Sequence, residues 1–392
     1  MYRIVHVITR FVNGGADENT LLTCNHQAEA GHEVWLAYGA EYTQRMLDKL
    51  DPRVMRVEIP SLVREVSPAK DLSALVSLAA LYRRVRPHIV HTHTSKAGFT
   101  GRLAAYALPS AKVVHGVHIL PFTSEPFLKR SVYLGLEKLA AFRTHAFIDV
   151  SEGMEQLCLA HGLGTSDNHA VIRSGMDVAK FRQATPADDI AALRGGDAVV
   201  LGYVAVLERR KRHREMLEAL VPVLKAQSHV SLVLAGDGPE RPVIESIIHE
   251  NGLQDRVRVL GFREDVERVL AGCDLCVFAS QREGLPRSIV QYVIAGKPVV
   301  AMELPGIEHV VRHEENGAVV PPDRFDEFAV WVSRLVTDAS TMAAFATASG
   351  ETDLSEWDAH VMGDRIDRIY AQLFREPPAQ GRAREESHSP RI

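Results

Sequence analysis

The chain has 392 residues, of which 46% are hydrophobic and 24% charged, and its 45 basic and 50 acidic side chains leave a formal net charge of −5. Domains cluster at about 100–200 residues, so this length predicts two domains with full cores. The strong basic excess that nucleic-acid-binding proteins favour is absent, and no run of about 18 apolar residues predicts a membrane-spanning helix.

The first residues, MYRIVHVITR, have the composition of a strand and lack the basic stretch, apolar block and cleavage site of a signal peptide. Four cysteines in so long a chain suit a reducing compartment, so we expect a cytoplasmic protein. Cys273 and Cys276 form a CxxC pair that closes a helix and enters a strand. A redox CxxC opens a helix instead, and no second pair is available for zinc, so we expect a structural role.

Short apolar strands alternate with helix-length segments along the chain, a pattern typical of parallel sheets with helices on both faces. The first half contains candidate strands at 3–9, 33–39, 54–59, 88–94, 112–119, 146–151 and 170–175. The second half contains candidate strands at 198–206, 231–237, 256–261, 275–280, 297–302 and 317–321. We therefore expect an α/β protein of two doubly wound, Rossmann-like domains that face a cleft. Ligands of such sheets bind beyond the carboxyl ends of the strands.

A charged stretch with proline and a Gly-Gly pair, near 177–195, predicts the linker between the halves. We place the first domain at 1–178 and the second at 179–353. The segment 354–376 is expected to form a helix that crosses back to the first domain. The polar tail at 377–392 has few large apolar residues and is expected to be disordered.

The first loop, TRFVNGGADENT, follows a strand, opens a helix and contains Gly14 and Gly15. Glycines let the backbone come close to a ligand, and the free N–H groups of a helix start favour an anion. The alternative is a plain strand–helix turn. The spacing differs from GxGxxG, which argues against a nicotinamide cofactor and a dehydrogenase.

The segment HIVHTHTSKAGFTGRLAA places His91 and His93 on one face of a strand. A metal needs a third ligand and none is spaced nearby, so we expect a hydrogen-bonding pair and no metal. Lys96 begins a helix at the cleft, where it could meet an acceptor or a phosphate. His118, in VVHGVHILPF, lies at a strand end, and a contact to a sugar hydroxyl or carbonyl competes there with a place in the core.

The helix predicted at 126–144 carries Lys129, Arg130, Lys138 and Arg143 on or near one side. A solvated face is one interpretation. Contact with an anionic membrane surface or a lipid-phosphate acceptor is the other.

In the second half, LGYVAVLERRKRHREMLEAL predicts a strand, a cationic loop and a helix. The four basic residues at 209–212, among them Arg210 and Lys211, lie where a diphosphate would bind, although one or two are expected to point into solvent. LAGDGPE predicts a second tight turn at Gly236 and Gly238, with Pro239 suited to the first helical position.

The stretch REGLPRSIVQYVIAGKPVVA predicts a helix over about 286–295, with Pro286 in its first turn. Free N–H groups near Arg287 and Ser288 favour a phosphate. Glu283 lies in the preceding loop, where a carboxylate can accept hydrogen bonds from adjacent hydroxyls. Its alternative role is that of an acid favoured by the helix dipole. Gln291 is placed where it could reach a ribose.

The motifs NGGA, HTHTSKAGFTGRLAA, VHGVHILPF, VSEGM, VIRSGMD, LAGDGPE, LGFREDV and EGLPRSIVQYVIAGKPVVA span nearly the whole chain. In this order and spacing, the set resembles the family 4 glycosyltransferases of bacterial cell-surface polysaccharide type. The resemblance implies a GT-B fold, an acceptor-binding first domain and a second domain that binds a nucleotide sugar. It also implies transfer with retention of anomeric configuration and no metal or other cofactor.

By this similarity Glu283, His118 and Lys211 act at the reacting sugar and diphosphate, and His93 and Lys96 belong to the acceptor side. The donor side would then contain Gly14, Gly15, Arg210, Gly236, Gly238, Gly284, Leu285, Pro286, Arg287, Ser288 and Gln291.

Three positions depart from the family pattern. Gln291 replaces the second acid of the E-x7-E motif, Val206 replaces the arginine of the phosphate loop, and Ser174 replaces a common asparagine. Gln291 keeps one acceptor oxygen but loses the charge. Arg209 or Arg210 could compensate for Val206.

The resemblance favours a UDP-hexose or UDP-N-acetylhexosamine donor and a glycan, lipid-linked or small-molecule acceptor. A peripheral contact with the inner membrane surface is left open by the basic helix, and no nucleic-acid partner is expected. Two rival functions remain: a nucleotide-sugar 2-epimerase of the same fold, and a catalytically weakened protein that binds nucleotide sugars or glycans.

Overall fold

The computed structural model describes residues 1–12, 14–118, 120, 127–281 and 286–375, with the backbone alone described at 127 and 128. Glu283, Gly284, Leu285 and the predicted disordered tail at 377–392 therefore lie outside the described residues. Two α/β units follow one another along the chain, each built on a parallel sheet.

The first sheet has seven strands. Its strands are β1 (Arg3–Phe11), β2 (Glu33–Tyr42), β3 (Met55–Ile59), β4 (Ile89–His93), β5 (Lys112–Val117), β6 (Ala146–Asp149) and β7 (His169–Val171). The helices of this half are α1 (Gly15–Glu29), α2 (Gln44–Asp48), α3 (Pro68–Val85), α4 (Ser95–Ala104), α5 (Phe127–Ala141) and α6 (Glu152–Ala160).

The second sheet has six strands. Its strands are β8 (Val199–Val204), β9 (Val230–Ala235), β10 (Val257–Gly261), β11 (Leu275–Phe278), β12 (Val299–Met302) and β13 (Gly317–Val320). The remaining helices are α7 (Val178–Gln183), α8 (Asp188–Ala191), α9 (His213–Ala226), α10 (Arg241–Glu250), α11 (Val266–Ala271), α12 (Arg287–Ile294), α13 (Phe325–Thr337), α14 (Ala339–Glu351) and α15 (Ala359–Gln372).

Strand order locates the ligand-binding edge of each sheet. The first sheet runs β3-β2-β1-β4-β5-β6-β7 and the second runs β10-β9-β8-β11-β12-β13. The order reverses between β1 and β4 and again between β8 and β11. In open parallel sheets, ligands bind beyond the carboxyl ends of the strands at such a reversal, because the flanking loops diverge there and leave a crevice.

The predicted strands and fold class are confirmed, since each of the thirteen predicted segments overlaps a strand of the two sheets. The ends differ locally. The strand predicted at 170–175 is only His169–Val171, because the chain then leaves the sheet and its backbone pairs elsewhere: Met176 forms a bridge with Asp358. Pro239 and Pro286 do not start helices. Pro286 is the N-cap of α12, and α10 begins two residues after Pro239, at Arg241.

The chain crosses between the two halves twice, and the two crossings lie side by side. The N–H of Met176 donates to the carbonyl of Trp357 at 2.6 Å, and the N–H of Ala359 donates back to Met176 at 3.0 Å. Asp358 caps α15 by accepting from the N–H of His360 at 2.8 Å.

Helix α15 packs its apolar face on the first sheet, with Met362, Ile366 and Tyr370 among the buried residues around Ile4 and Ile89. The last helix thus belongs structurally to the first half. The domain boundaries at 178 and 353 stay predictions.

Candidate functional site

The first reversal point adjoins a cavity of about 790 Å³. At the second, α12 follows β11 and contacts α1 of the first half through Arg287 and Glu18. The cavity is bounded by the loops after β1 and β4 and by α5. Its lining includes Gly14, Gly15, Lys96, Val132 and Glu137, so polar and apolar side chains face the same volume. The sequence prediction placed Gly14, Gly15 and Lys96 at the cleft, and the structure brings these three to one cavity.

The two glycines of the first loop serve different purposes. Gly14 is the N-cap of α1, and its N–H donates to the Asp17 carboxylate at 2.9 Å. The N–H of Val12 donates to the same oxygen at 3.1 Å. A Cβ on Gly15 would lie 3.2 Å from Cδ of Arg287, so glycine leaves room for a side chain arriving from the other domain.

Arg287, the first residue of α12, spans the cleft. Its Nη2 lies 3.1 Å from Oε2 of Glu18 in α1, and the side chain is only 15% exposed. The approach is close, but within the described residues none of the three guanidinium nitrogens makes a hydrogen bond of acceptable geometry. A buried guanidinium with unused N–H groups is suited to an anion, because unsatisfied buried donors cost free energy.

His118 lies just beyond β5, partly buried, with its Nε2 3.4 Å from Nδ1 of His93. Burial and the positive charge of Arg287 lower the pKa of His118 from 6.5 to about 4. The ring is therefore neutral at pH 7 and can exchange hydrogen bonds with a hydroxyl without carrying a charge.

A third histidine joins the predicted pair. His6 in β1 lies beside His91 in β4 in the sheet register, and the ring nitrogens of His6, His91 and His93 lie within 4.8 Å of one another. The expectation that no third imidazole is near was wrong, because His6 is distant in sequence and is brought close by strand pairing. Burial lowers the pKa of His6 to about 4 and those of His91 and His93 well below 6.5.

Lys96 is already paired. Its Nζ lies 2.6 Å from Oδ1 of Asp71 and 3.0 Å from the carbonyl oxygen of Glu65. The ammonium lies at the cavity wall with its charge balanced by a protein carboxylate. An incoming anion would have to compete with Asp71.

As predicted, the basic residues of the loop after β8 differ in their exposure to solvent. Arg210 is exposed and pairs with Glu208, whereas Lys211 is partly buried with its Nζ 5.5 Å from the centre of the Phe278 ring. The Lys211 carbonyl is held by the Tyr203 hydroxyl at 2.6 Å, which fixes the loop backbone. Val206, which replaces the arginine of the family pattern, is 55% exposed and places no positive charge at this position.

Gly236 and Gly238 have a packing reason for being glycine. A Cβ on Gly236 would lie 1.9 Å from the carbonyl oxygen of Ala205, and one on Gly238 would lie 2.5 Å from that of Leu207. The turn after β9 therefore presses on the backbone of the loop that ends at Lys211. Substitution at either glycine would displace that loop.

Helix α12 positions the other donor-side candidates. Ser288 and Gln291 are both partly buried on it, and the helix ends at Ile294. The hydroxyl of Tyr292, on the same helix, accepts from the N–H of Val204 at 2.8 Å, which ties α12 to the end of β8. Glu283, Gly284 and Leu285 precede this helix and lie outside the described residues.

The basic helix needs one correction. Arg143 lies beyond the end of α5 and is buried, with its Nη2 donating to the carbonyl of Ala111 at 2.9 Å and to that of Leu108 at 3.2 Å. It acts as a cap on neighbouring loops and does not belong to the basic surface. Lys129, Arg130 and Lys138 are exposed on α5, as expected.

Sequence inspection missed the partners that act across the fold. Glu18 opposes Arg287, and Gln27, Tyr370 and Asp367 surround the histidines: the Tyr370 hydroxyl lies 2.6 Å from Nδ1 of His91. Arg287 itself was proposed for its backbone N–H, and the position of its guanidinium was not foreseen. His6, in an apolar strand, was the available signal, but its use required the pairing of β1 with β4.

Comparison with known families agrees with this geometry. Residues 14–175 match the glycosyl transferase 4-like domain, and residues 198–338 match the glycosyl transferases group 1 family, which together take in most of the chain. This chain belongs to the family 4 glycosyltransferases. The predicted family and the GT-B fold are thereby confirmed.

Among curated proteins, this glycosyltransferase is 28% identical over 300 residues to the UDP-Gal:alpha-D-GlcNAc-diphosphoundecaprenol alpha-1,3-galactosyltransferase of Escherichia coli, covering 75% of this chain and 78% of that protein. It is 20% identical over 370 residues to the N-acetyl-alpha-D-glucosaminyl L-malate synthase of Bacillus anthracis, covering 89% and 91%.

Among solved structures, Anabaena HepE in complex with UDP and glucose superposes with a TM-score of 0.79 at 22% identity, over 95% of this glycosyltransferase and all of that chain (100%). A glycosyltransferase from Rickettsia africae superposes with a TM-score of 0.79 at 17% identity, over 96% and 99%. At these identities the likeness shows the fold. No helix in the described part of the glycosyltransferase combines the length and apolarity needed to cross a bilayer.

Proposed function

We propose that this glycosyltransferase transfers a hexosyl or N-acetylhexosaminyl group from a UDP-sugar to a sugar carried on a lipid diphosphate. Transfer proceeds with retention of anomeric configuration and without a metal ion. The observation that supports it best is Arg287, a largely buried guanidinium at the centre of the cleft whose N–H groups are unused within the described residues.

Arg287 fits a diphosphate for two reasons. Its planar fork of donors matches phosphate oxygens, and it begins α12, whose backbone N–H groups and dipole favour an anion at the same end. In this proposal Arg287 supplies the cation that Val206 lacks. Arg209 and Arg210, the earlier candidates for that role, are both exposed on the loop surface.

The remaining donor-side residues take complementary roles. Lys211, Arg287 and the helix start stabilise the charge that grows on the leaving diphosphate. Glu283 and His118 orient the sugar, and Gln291 accepts from the ribose. The C1–O bond to UDP breaks while the acceptor oxygen bonds to C1 on the same face, and an oxygen of the departing phosphate takes the acceptor proton. The scheme uses no glycosidase-type pair of carboxyl groups.

The acceptor assignment depends on the cavity beside α5. Three apolar side chains are exposed along one side of this helix and at its end: Val132 at 54%, Leu139 at 49% and Phe142 at 86%. Spacings of seven and three residues place them on neighbouring parts of one helix face. Lys129 and Lys138 flank the row. An apolar row with basic neighbours fits the surface of an anionic membrane better than water.

This arrangement favours a lipid-linked acceptor over a free sugar. Val132 belongs both to the exposed row and to the cavity lining, so a sugar diphosphate could enter the cavity while its lipid remains in the membrane. The Escherichia coli relative, whose name specifies UDP-Gal and GlcNAc-diphosphoundecaprenol, acts on substrates of this kind. Of the two rivals, the 2-epimerase finds no support among the relatives named above, which are transferases and a synthase.

The test has two stages. Thermal-shift assays with UDP, GDP, ADP and their sugar conjugates identify the donor, and UDP compounds are expected to give the largest shift. The best donor is then incubated with GlcNAc-diphosphate on a long alkyl tail and, separately, with free GlcNAc. We expect transfer to the lipid-linked sugar and an α-linked product from an α-donor. Donor binding without transfer to any acceptor would support the binding-protein rival, and epimer formation from the donor alone would support the epimerase.

A further inference from the structure

A row of hydrogen-bonded side chains runs from the cleft through the first domain to α15. Nε2 of His118 lies 3.4 Å from Nδ1 of His93, and Nε2 of His93 lies 2.9 Å from Nδ1 of His6. Nε2 of His6 lies 2.7 Å from Oε1 of Gln27. Nε2 of Gln27 lies 3.3 Å from Oδ1 of Asp367. These five residues are called the histidine chain below.

Water has little access to the middle of this chain. His6 and Gln27 are 0% exposed and His93 is 3% exposed. Buried polar groups need partners, and these side chains provide them for one another. The sheet sets the spacing, since His93 in β4 lies beside Gly116 in β5.

Gly116 leaves the space in which two of the rings meet. A Cβ at this position would lie 3.2 Å from Nδ1 of His93 and 3.3 Å from Nε2 of His118. Both atoms belong to the longest bond between two rings of the chain. A methyl group there would push the two imidazoles apart.

The hydrogen bonds of the histidine chain all donate in one direction, and Asp367 determines that direction. Burial raises the pKa of Asp367, but His26 and His32, whose Nε2 atoms lie 3.6 and 3.7 Å from its Oδ2, outweigh burial and lower the pKa to about 2. The group is therefore a carboxylate at pH 7 and can only accept hydrogen bonds. The amide of Gln27 must therefore turn its NH₂ towards Asp367. Its carbonyl oxygen then faces His6, as observed.

Each further step follows from the neutral imidazole, which has one donor and one acceptor nitrogen. His6 donates from Nε2 to Gln27, so its Nδ1 accepts. His93 must then donate from Nε2, and its Nδ1 accepts in turn. His118 must donate from Nε2 to His93. The nitrogen of His118 that remains without a proton is Nδ1.

We propose that Asp367 and Gln27 act as positioning residues that fix the tautomer of His118, so that its ring offers Nδ1 as an acceptor to a hydroxyl of the transferred sugar. This inference rests on the proposed function, in which His118 contacts that sugar. It assigns a role in donor recognition to a residue of α15, which lies at the other end of the sequence from His118.

The alternative to this hydrogen-bonded arrangement is that the same imidazoles bind a metal ion. His6, His91 and His93 could supply three nitrogens. Both nitrogens of His6 and both of His93 already take part in the histidine chain, and among the described residues only Nε2 of His91, of the six nitrogens in these three rings, has no hydrogen-bond partner. Zinc holds nitrogen at about 2.0–2.1 Å and would have to replace the bond between His6 and His93.

The test reads the tautomers by NMR of the full chain labelled with ¹⁵N-histidine. We expect His6, His93 and His118 to carry their protons on Nε2. Gln27→Lys offers only donors, so it should reverse the chain and move the His118 proton to Nδ1. A Gln27→Lys protein that folds and keeps the His118 proton on Nε2 would overturn the inference, as would a wild-type protein with Nδ1–H on any of the three rings.

A kinetic test needs no buried lysine. Asp367→Asn lets either end of the chain donate, and kcat/KM for the UDP-sugar found in the donor screen should fall about fivefold, the size expected for one misdirected hydrogen bond. The affinity for UDP alone should stay unchanged, because UDP has no sugar to orient.

Asp364→Asn is the matched control. Asp364 lies on the same helix, and its Oδ1 is 3.4 Å from Nε2 of His26, but it makes no contact with Gln27 among the described residues. We expect kcat/KM within about twofold of wild type for this variant. Equal losses in the two variants would count against the inference.

Two further outcomes are informative. One equivalent of metal in the purified protein, lost in His6→Ala, would replace the histidine chain with a metal site and overturn the proposal. Absence of transfer with every donor and acceptor would count against the proposed function. The tautomers are measured without turnover, so they test the inference about the histidine chain independently of that function.

Discussion

Arg287→Met removes the guanidinium from the cleft and keeps most of the side-chain volume. If Arg287 binds the donor diphosphate, the variant loses a charge-assisted contact in a largely buried place, where the side chain is 15% exposed. Hydrogen bonds to charged groups contribute about 1.5–3 kcal/mol, so kcat/KM should fall roughly 10- to 150-fold. The affinity for UDP, measured by calorimetry, should fall with it.

The same substitution is expected not to lower the stability of the unliganded protein. The guanidinium nitrogens lack hydrogen bonds of good geometry within the described residues, and an unsatisfied buried group costs about 1–3 kcal/mol. The melting temperature of the unliganded variant should therefore equal or exceed that of wild type. The increase on adding UDP should shrink, because a ligand stabilises a protein only as far as it binds.

Arg45→Met is the matched control, since Arg45 also bridges the domains. Its Nη1 lies 2.6 Å from Oε1 of Glu264, and its guanidinium covers the Phe262 ring at 4.8 Å. A general loosening of the domain contact would affect both variants equally. We expect kcat/KM of Arg45→Met within about threefold of wild type, as is usual for a partly exposed pair. Equal losses in the two variants, or unchanged UDP affinity in Arg287→Met, would refute the diphosphate assignment.

Four other predictions concern the site, the histidines and the membrane. Lys211→Ala and Glu283→Ala should each lower kcat at least about 100-fold in the transfer assay, and near-normal turnover in both would contradict the donor site. Transfer should persist in EDTA, and its loss with recovery on adding a divalent cation would contradict a metal-free reaction. Burial lowers the pKa of His6 and of His118 from 6.5 to about 4 in the folded protein. Because the unfolded chain takes up these protons first, each group removes up to roughly 1.4 kcal/mol of unfolding free energy per pH unit as the pH falls from about 6.5 to about 4. Melting temperatures should decline over that range, and a flat profile would show that the rings are not held neutral. Phe142→Asp should reduce co-sedimentation with vesicles containing anionic lipid, while transfer to a short-tailed acceptor is kept; unchanged vesicle binding would argue against this surface.

The local patterns that predicted the fold are short-range ones. Each predicted strand was an apolar run bounded by turn residues, and the alternation with helices implied parallel sheets. The predicted strand ends were least accurate where the chain pairs with residues far away in sequence. The strand predicted at 170–175 stops at Val171, since the chain beyond it bonds to residues near 358. Such a limit depends on contacts across the chain and leaves no local signal.

The candidate site shows the same division. Gly14, Gly15, Gly236 and Gly238 were assigned to the candidate site because they lie in turns beside strand ends. For two of them the structure adds a reason that no local pattern contains: Gly15 makes room for Arg287 from the other domain, and Gly236 packs against the carbonyl of Ala205. Arg143 was placed on an exposed basic face, yet it is buried among loop carbonyls, because its position past the helix end turns it inward.

The sequence by itself determined the parallel α/β architecture, the family and the loops that meet at the cleft, since apolar periodicity, turn chemistry and motif spacing are properties of neighbouring residues. Only the tertiary structure decided which side chains meet. Strand pairing brought His6 to His93, the last helix placed Asp367 against Gln27, and the facing domains set Arg287 opposite Glu18. Hydrogen bonds and charge interactions act over a few ångströms, and residues hundreds of positions apart reach that range only when the chain is folded.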